Sequence, residues 1–178
     1  MEEDEIIEVV DSSGNFVRLA KRGEVYKQGL LHKAVNVVLF TPEKKIYLQR
    51  RSANKKSFPN FWDISVAEHL KPRESYKNAA VRGLLEELSI KTPVFKIREP
   101  HIQENVFEKA GEKIIENELA ELYTGVYDGE ITIDPTEVSE TKEVTLQDAA
   151  KIYDLTPWGL DEINFLGRNP QIIERLKL

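Results

Sequence analysis

The sequence predicts an α+β fold, an α/β/α sandwich in which a mixed β-sheet is flanked by helices, and three observations carry that expectation. Residues 34–41 (AVNVVLFT) are a continuous β-branched and apolar run, the pattern of a strand buried on both faces. Residues 75–89 place Ala79, Ala80, Leu84, Leu85 and Leu88 three and four apart, which is one apolar face of a helix. Pro157 and Pro170 stand where two C-terminal helices start, because a helix needs no N–H at its first position. Strands around one strong helix, with helices at the end, bury their apolar faces by packing helices onto a sheet. The 178 residues fit a single domain spanning 1–178.

Taken in order, Glu5–Val10 is a β-branched strand and Asp11–Gly14 a cluster of turn formers, which together predict a first hairpin. Residues 34–41 and 45–50 form a second hairpin about Pro42-Glu43-Lys44, and Ser57–Trp62 is irregular. The apolar-faced helix covers 75–89. Nothing in residues 92–112 marks a binding pocket, and the segment is expected to be a mobile loop, with His101 in it lacking a nameable partner. Residues 113–127 alternate and are rich in β-branched and aromatic side chains, so they read as strand. Asp128-Gly129 turns the chain, 130–133 and 141–145 are short strand candidates, and helices are expected over 146–153, 158–166 and 171–178.

Composition excludes several functions. There are no cysteines, so disulfides, zinc–thiolate centres and thiol nucleophiles are ruled out, and a reducing compartment is the natural setting. The net charge of −6 argues against a nucleic-acid polymer as partner. No apolar run approaches the ~20 residues of a membrane span, and the Met-Glu-Glu-Asp-Glu start has the wrong charge for a secretion signal. A cytoplasmic protein without membrane partners is expected.

The chemistry concentrates in Glu68-His-Leu-Lys-Pro-Arg-Glu74 and the helix that follows. On a helix Arg82 and Glu86 stack one turn apart, while Glu87 lies about 100° round from Glu86. Adjacent carboxylates at a helix edge suit Mg²⁺, which takes oxygen ligands and keeps several waters. An isolated Glu-Glu pair is ordinarily just a solvated face. Here Glu74, seven intervening residues, Arg82, Leu84, Glu86, Glu87 and Ile90 resemble the Nudix box, G-x5-E-x7-R-E-U-x-E-E-x-G-U with U apolar. Three positions depart from it: Glu68 and Ser89 replace glycines, and Gly83 replaces the first glutamate of the REUxEE core, which in the family serves metal binding or base catalysis.

The resemblance extends over roughly 5–165. Leu31-His-Lys-Ala34, Leu48-Gln-Arg-Arg51, Asn54–Trp62, Val66-Ala-Glu-His69, Glu116-Asn-Glu118 and Thr156-Pro-Trp158 look like the type I isopentenyl-diphosphate isomerase branch of the Nudix superfamily. That resemblance implies a Nudix-like sheet flanked by helices and a metal held by His32, His69, Glu116 and Glu118. It also implies diphosphate contacts at Arg51, Lys55 and, more distantly, Lys21, and a ligand of substrate-bound magnesium at Glu87. Glu116 and Glu118, two apart on a strand, share a face that can meet His32 and His69, the latter expected in the loop before the box helix.

Two departures bear on activity. Ala67 stands where the isomerase has its proton-transferring cysteine, and Val25 stands where it has a further histidine ligand. Hydrolysis at phosphorus needs charge neutralisation and a placed water rather than a thiol. The expected function is therefore metal-dependent cleavage of a diphosphate linkage in a nucleoside diphosphate derivative or similar small organic diphosphate, with Mg²⁺ or Mn²⁺ as cofactor. Glu86 and Glu87 would anchor the metal, with His32 and His69 as further ligands. Glu116 or Glu118 would replace the carboxylate missing at position 83 as ligand or base, with Glu87, Glu116 and Glu118 forming the catalytic set. Arg51 and Lys55 would clamp phosphate, and Trp158 or Phe61 would stack on the organic portion, unless Trp158 is a core residue. Alternatives are a Nudix-fold binding or regulatory module without turnover and a true isomerase, which Ala67 disfavours. The resemblance fits a monomer or a homodimer.

Overall fold

The structure, a computed structural model, describes residues 2–109 and 111–176. Lys177 and Leu178, the end of the helix expected over 171–178, and Ala110 within 92–112 lie outside the described residues.

The elements in chain order are β1 (Ile6–Val10), β2 (Phe16–Lys21), α1 (Arg22–Gln28), β3 (His32–Phe40), β4 (Ile46–Arg51), β5 (Trp62–Asp63), β6 (Val66–His69), α2 (Tyr76–Leu88), β7 (Phe95–Lys109), β8 (Glu112–Val126), β9 (Val138–Val144), α3 (Leu146–Ala149), α4 (Pro157–Arg168) and α5 (Pro170–Arg175). The sheet is mixed. Strand β3 lies at its centre, parallel to β8 and antiparallel to β6, with β1 and β4 joined at its two ends. Every residue of β3 from Ala34 to Phe40 is buried, as its unbroken apolar run requires.

Each face of the sheet has its own core. On one, Val35, Val37, Leu39 and Val66 meet Ala79, Ala80, Leu84 and Leu88 of α2. On the other, Val38, Phe40, Leu48 and Leu122 meet Trp158, Ile163 and Leu166 of α4. The expected α/β/α sandwich is therefore the one observed. Helix α2 starts at Ser75, whose side chain accepts a hydrogen bond from the Asn78 amide at 3.2 Å, and ends at Ser89 in a left-handed conformation (φ 56°). That conformation is the one the motif's glycine adopts without strain, so the serine keeps the local geometry.

Several expectations are corrected. Residues 95–109 are not a loop but a fifteen-residue strand paired antiparallel with β8, and two register shifts between Lys96 and His101 break its alternation in the sequence. Residues 130–133 belong to no strand, and Ile131 and Ile133 instead pack against the α2 core from an irregular segment. The 146–153 helix is a single turn that stops at Ala149. His69 closes strand β6 instead of lying in a loop. Among the described residues no helix is long and apolar enough to cross a membrane.

Candidate active site

The register of the central strands places the polar residues. In the parallel β3–β8 pair His32 stands beside Glu118, and in the antiparallel β3–β6 pair Ala34 stands beside His69. Because side chains alternate along a strand, His32, Ala34 and Asn36 project to one face with Glu116, Glu118, Ala67 and His69. The small Ala34 leaves room above the sheet, and a cleft of about 480 Å³ opens there.

His69 Nε2 lies 3.0 Å from Glu118 Oε1, and His32 Nε2 lies 3.8 Å from the same oxygen. The His32 Nδ1 sits 2.9 Å from the Leu30 carbonyl, which fixes that nitrogen as the N–H donor and leaves Nε2 as an acceptor pointed at the cluster. Ligand atoms of His32, His69 and Glu118 all lie within 4.8 Å of one another. Burial lowers His32 to about 4 and drives His69 well down, so both imidazoles are neutral and able to ligate. Glu116 accepts a 2.6 Å hydrogen bond from the Ser57 hydroxyl on Oε1, whereas its buried Oε2 has no partner. Burial and the neighbouring Glu118 charge push Glu116 up to about 7, and burial raises Glu118. Val25, in contrast, is buried in an apolar core and offers no ligand.

The box helix forms the second wall. Glu87 is buried and accepts from Gln49 Nε2 at 2.7 Å; burial, then the charge of Glu68, push it up to about 8. Glu86 is about half exposed and accepts from Arg82 at 3.1 Å. Arg82 also donates to Glu74 (2.9 Å from both Nε and Nη2), to Glu68 Oε2 (2.8 Å) and to the His69 carbonyl (2.8 Å), so it ties the loop before α2 to the helix. Gly83 is a packing residue: a Cβ there would come within 2.5 Å of Val66 Cγ1.

Arg51 donates to Asp63 Oδ2 and the Ser57 carbonyl, both at 3.2 Å, and its guanidinium lies over the Trp158 ring at 5.2 Å. Lys55 pairs with Glu137 over the cleft. Trp158 lines the cleft but is only 4% exposed, and its indole donates to Asp63 Oδ1 at 2.8 Å, so it packs as a core residue with an edge on the site. Phe61 packs on Phe58 at 5.4 Å in the same cluster and does not line the cleft. Lys21 is not in the cleft either; it pairs with Asp4 on the surface at 2.9 Å, and the adjacent Arg22 lines the site instead, bonded to Glu5 and Tyr26.

Sequence reading overlooked Arg22, Asn36, Gln49 and Ser57. Asn36 was accessible in principle from the two-residue period that links it to His32, while Gln49 and Ser57 act through tertiary contacts with no local signal. His101 does acquire partners: Glu162 lies 3.2 Å away, and Arg98 donates to Asp161 (2.7 Å) and Glu162 (2.8 Å), making a charge network that fastens α4 to β7.

Eight carboxylates and five lysine or arginine side chains line the cleft, an excess of three carboxylates, with Glu87, Glu116 and Glu118 held above the ordinary carboxylate range by burial until a cation offsets it. Together with the unpartnered His32 Nε2 and Glu116 Oε2, that excess fits a divalent cation, and a mixed imidazole and carboxylate donor set suits Mn²⁺ better than Mg²⁺.

Comparison with known proteins places the chain in a family and a fold. Residues 30–164 match the NUDIX domain family. The chain is 30% identical over 144 residues to isopentenyl-diphosphate Delta-isomerase 2 of Aromatoleum aromaticum, covering 81% of this chain and 74% of that protein. It is 40% identical over 103 residues to the prenyl-diphosphate phosphatase of Methanosarcina mazei, covering 56% and 59%. Among solved structures, DR0079 from Deinococcus radiodurans superposes with a TM-score of 0.71 at 18% identity over 90% of this chain and 98% of that one.

Proposed function

Given that the chain belongs to the NUDIX domain family, we propose that it is a metal-dependent diphosphohydrolase acting on a small organic diphosphate or a nucleoside diphosphate derivative. The observation that carries this reading is the meeting, in one cleft, of His69 and buried carboxylates, backed by the buried His32 and with the unpartnered Glu116 Oε2 among them, with the cations Arg51, Lys55 and Arg22. That division suits a phosphate chain bridged between cations of both kinds. The relative from Methanosarcina mazei named as a prenyl-diphosphate phosphatase supports the organic diphosphate, and the buried Trp158 and Tyr26 leave no open aromatic platform for a base among the described lining residues.

In this mechanism Arg51 and Lys55 hold non-bridging phosphate oxygens, Arg51 being fixed in direction by Asp63 and Ser57. His32, His69 and Glu118, whose ligand atoms lie within 4.8 Å of one another, would hold one divalent cation, and Glu87, with Glu86 at the rim, would hold one on the α2 wall; a cation bound there would supply neutralisation of phosphate charge. Glu116, oriented by the Ser57 hydroxyl, accepts a proton as water attacks phosphorus and the phosphoanhydride oxygen leaves. Ala67 faces the same cleft and has no proton to transfer, so the double-bond shift of an isomerase has no donor there.

The test is ³¹P NMR on a panel of prenyl diphosphates, nucleoside diphosphates and their conjugates with Mn²⁺ or Mg²⁺. New monophosphate or phosphate resonances are expected; double-bond migration in isopentenyl diphosphate would overturn the reading. A second reading, a binding module without turnover, is favoured by the three departures from the box at Glu68, Gly83 and Ser89. It would show as a raised melting temperature with the same ligands and no new resonance.

A further inference from the structure

Two of the box departures, Glu68 and Gly83, are neighbours in space. A Cβ on Gly83 would lie 3.5 Å from Glu68 Cβ and 3.7 Å from Glu68 Cγ, while Val66 Cγ1 bars the position itself. The alternation of β6 sends Ala67 and His69 toward the sheet wall and Glu68 the other way, toward α2. Glu68 thus projects into the space beside the helix position that lacks its carboxylate.

We propose that Glu68 and Gly83 are a reciprocal exchange, in which the Glu68 carboxylate from strand β6 takes over the cation-binding role of the glutamate absent from the box helix. The assignment rests on the reading of the cleft as a cation-dependent site. Both Glu68 and Glu87 line that cleft, and Glu116 Oε2, in a residue 5% exposed and lining the same cleft, is without a partner. Glu68 is held in place: Oε2 accepts from Arg82 at 2.8 Å and Oε1 from the His69 amide at 3.1 Å. Each carboxylate oxygen has two lone pairs, so one on each remains for a cation. Gly83 is then a requirement rather than a defect, because a side chain there would collide with the strand that carries Glu68.

The experiment measures Mn²⁺ affinity of the full chain by EPR titration, without substrate, for Glu68→Gln and Glu74→Gln. Both carboxylates are held by Arg82, but Glu74 does not line the cleft. Glu68→Gln is expected to weaken Mn²⁺ binding about tenfold or more, and Glu74→Gln to leave it unchanged. Glu68→Gln binding as tightly as the parent, or both variants weakening alike, would overturn the assignment. A further set of variants transposes the carboxylate: Glu68→Gly, Gly83→Glu and Val66→Ala together are expected to recover the affinity that Glu68→Gly with Val66→Ala loses, and no recovery counts against the exchange. The two readings fail separately. Mn²⁺ binding that depends on Glu68 without turnover of any diphosphate overturns hydrolysis alone, whereas turnover with affinity indifferent to Glu68 overturns the exchange alone.

Discussion

The cleft has two walls, on either side of strand β6, and they follow opposite electrostatic rules. On the α2 side one guanidinium, Arg82, donates to Glu68, Glu74, Glu86 and the His69 carbonyl, so the wall keeps its shape without any ligand. On the sheet side His32, His69, Glu116 and Glu118 are buried with neutral imidazoles, raised carboxyl pKa values and polar atoms that have no partner. A wall whose charges are already paired positions groups; a wall with buried unpaired acceptors costs free energy until something binds it. The first therefore determines stability, with Glu68 and Glu87 as its contacts to a cation, and the second carries the larger share of the affinity.

Arg82→Ala is the sharpest way to break this division. It removes the one guanidinium that Glu68, Glu74 and Glu86 share and leaves three carboxylates facing one another, so a loss of about 3 kcal/mol in unfolding free energy is expected, the scale of removing one partner from a largely buried ion network. Chemical denaturation measures it, and a loss no greater than that of an exposed ion pair would show that the wall is held by packing instead.

The sheet wall should answer the opposite way. Glu118→Gln is expected to cut Mn²⁺ affinity by about 100-fold while leaving the metal-free protein as stable as the parent or more so, since a buried negative charge beside Glu116 is gone. Isothermal titration and thermal melts separate the two effects. One carboxylate on each wall sets a pH dependence. In the metal-free protein Glu116 and Glu87 sit at about 7 and about 8, above the ordinary 4.5, so the folded form retains protons that the unfolded chain releases. Stability is then fully present below about 4.5 and falls as pH rises through about 7 and 8. Saturating Mn²⁺ should flatten that fall in a series of melts; an unchanged slope would mean that the cation binds elsewhere.

The two walls were also unequally legible in the sequence. The α2 wall is written locally: Glu74, Arg82, Glu86 and Glu87 share one helix and its approach, and helical spacing predicts which of them meet. The sheet wall depends on register between strands far apart in the chain, and only the two-residue spacing of Glu116 and Glu118 gave their common face away. Strand β7 stayed hidden because its bulges near Lys96 and Arg98 shift the period that identifies a strand. Helix α1 was hidden for a different reason, since only Val25 and Tyr26 of its seven residues are buried and no apolar stripe forms. Gly83 reads in sequence as a lost catalytic residue and in structure as a contact with Val66, a distinction that only the packing of β6 against α2 reveals.

Trp158 tests whether the sheet wall extends to an aromatic stacking surface. Its indole donates to Asp63, and its ring packs edge-on against Phe58 at 5.3 Å. Trp158→Phe is expected to cost about 1–2 kcal/mol, the loss of one buried hydrogen bond to a carboxylate, with KM for a diphosphate little altered. A large rise in KM at unchanged stability would return Trp158 to substrate recognition.

The smallest effect is expected at Lys21, and its comparison with Arg22 shows where the cleft ends. The two residues are adjacent in sequence, yet Lys21 leaves β2 toward solvent, with its side chain 64% exposed against Asp4, while Arg22 opens α1 with its side chain 15% exposed and joins Glu5 and Tyr26 at the cleft. An exposed pair such as Lys21–Asp4 is solvated on both sides and screened by salt, so Lys21→Ala should leave melting temperature, Mn²⁺ affinity and KM where they are. Arg22→Ala removes a cation from a cleft that already has more carboxylates than cations, and KM for a diphosphate should rise. If Lys21→Ala raised KM instead, the phosphate-binding edge would lie on the β2 surface, and the cation arm of the cleft would have to be redrawn around it.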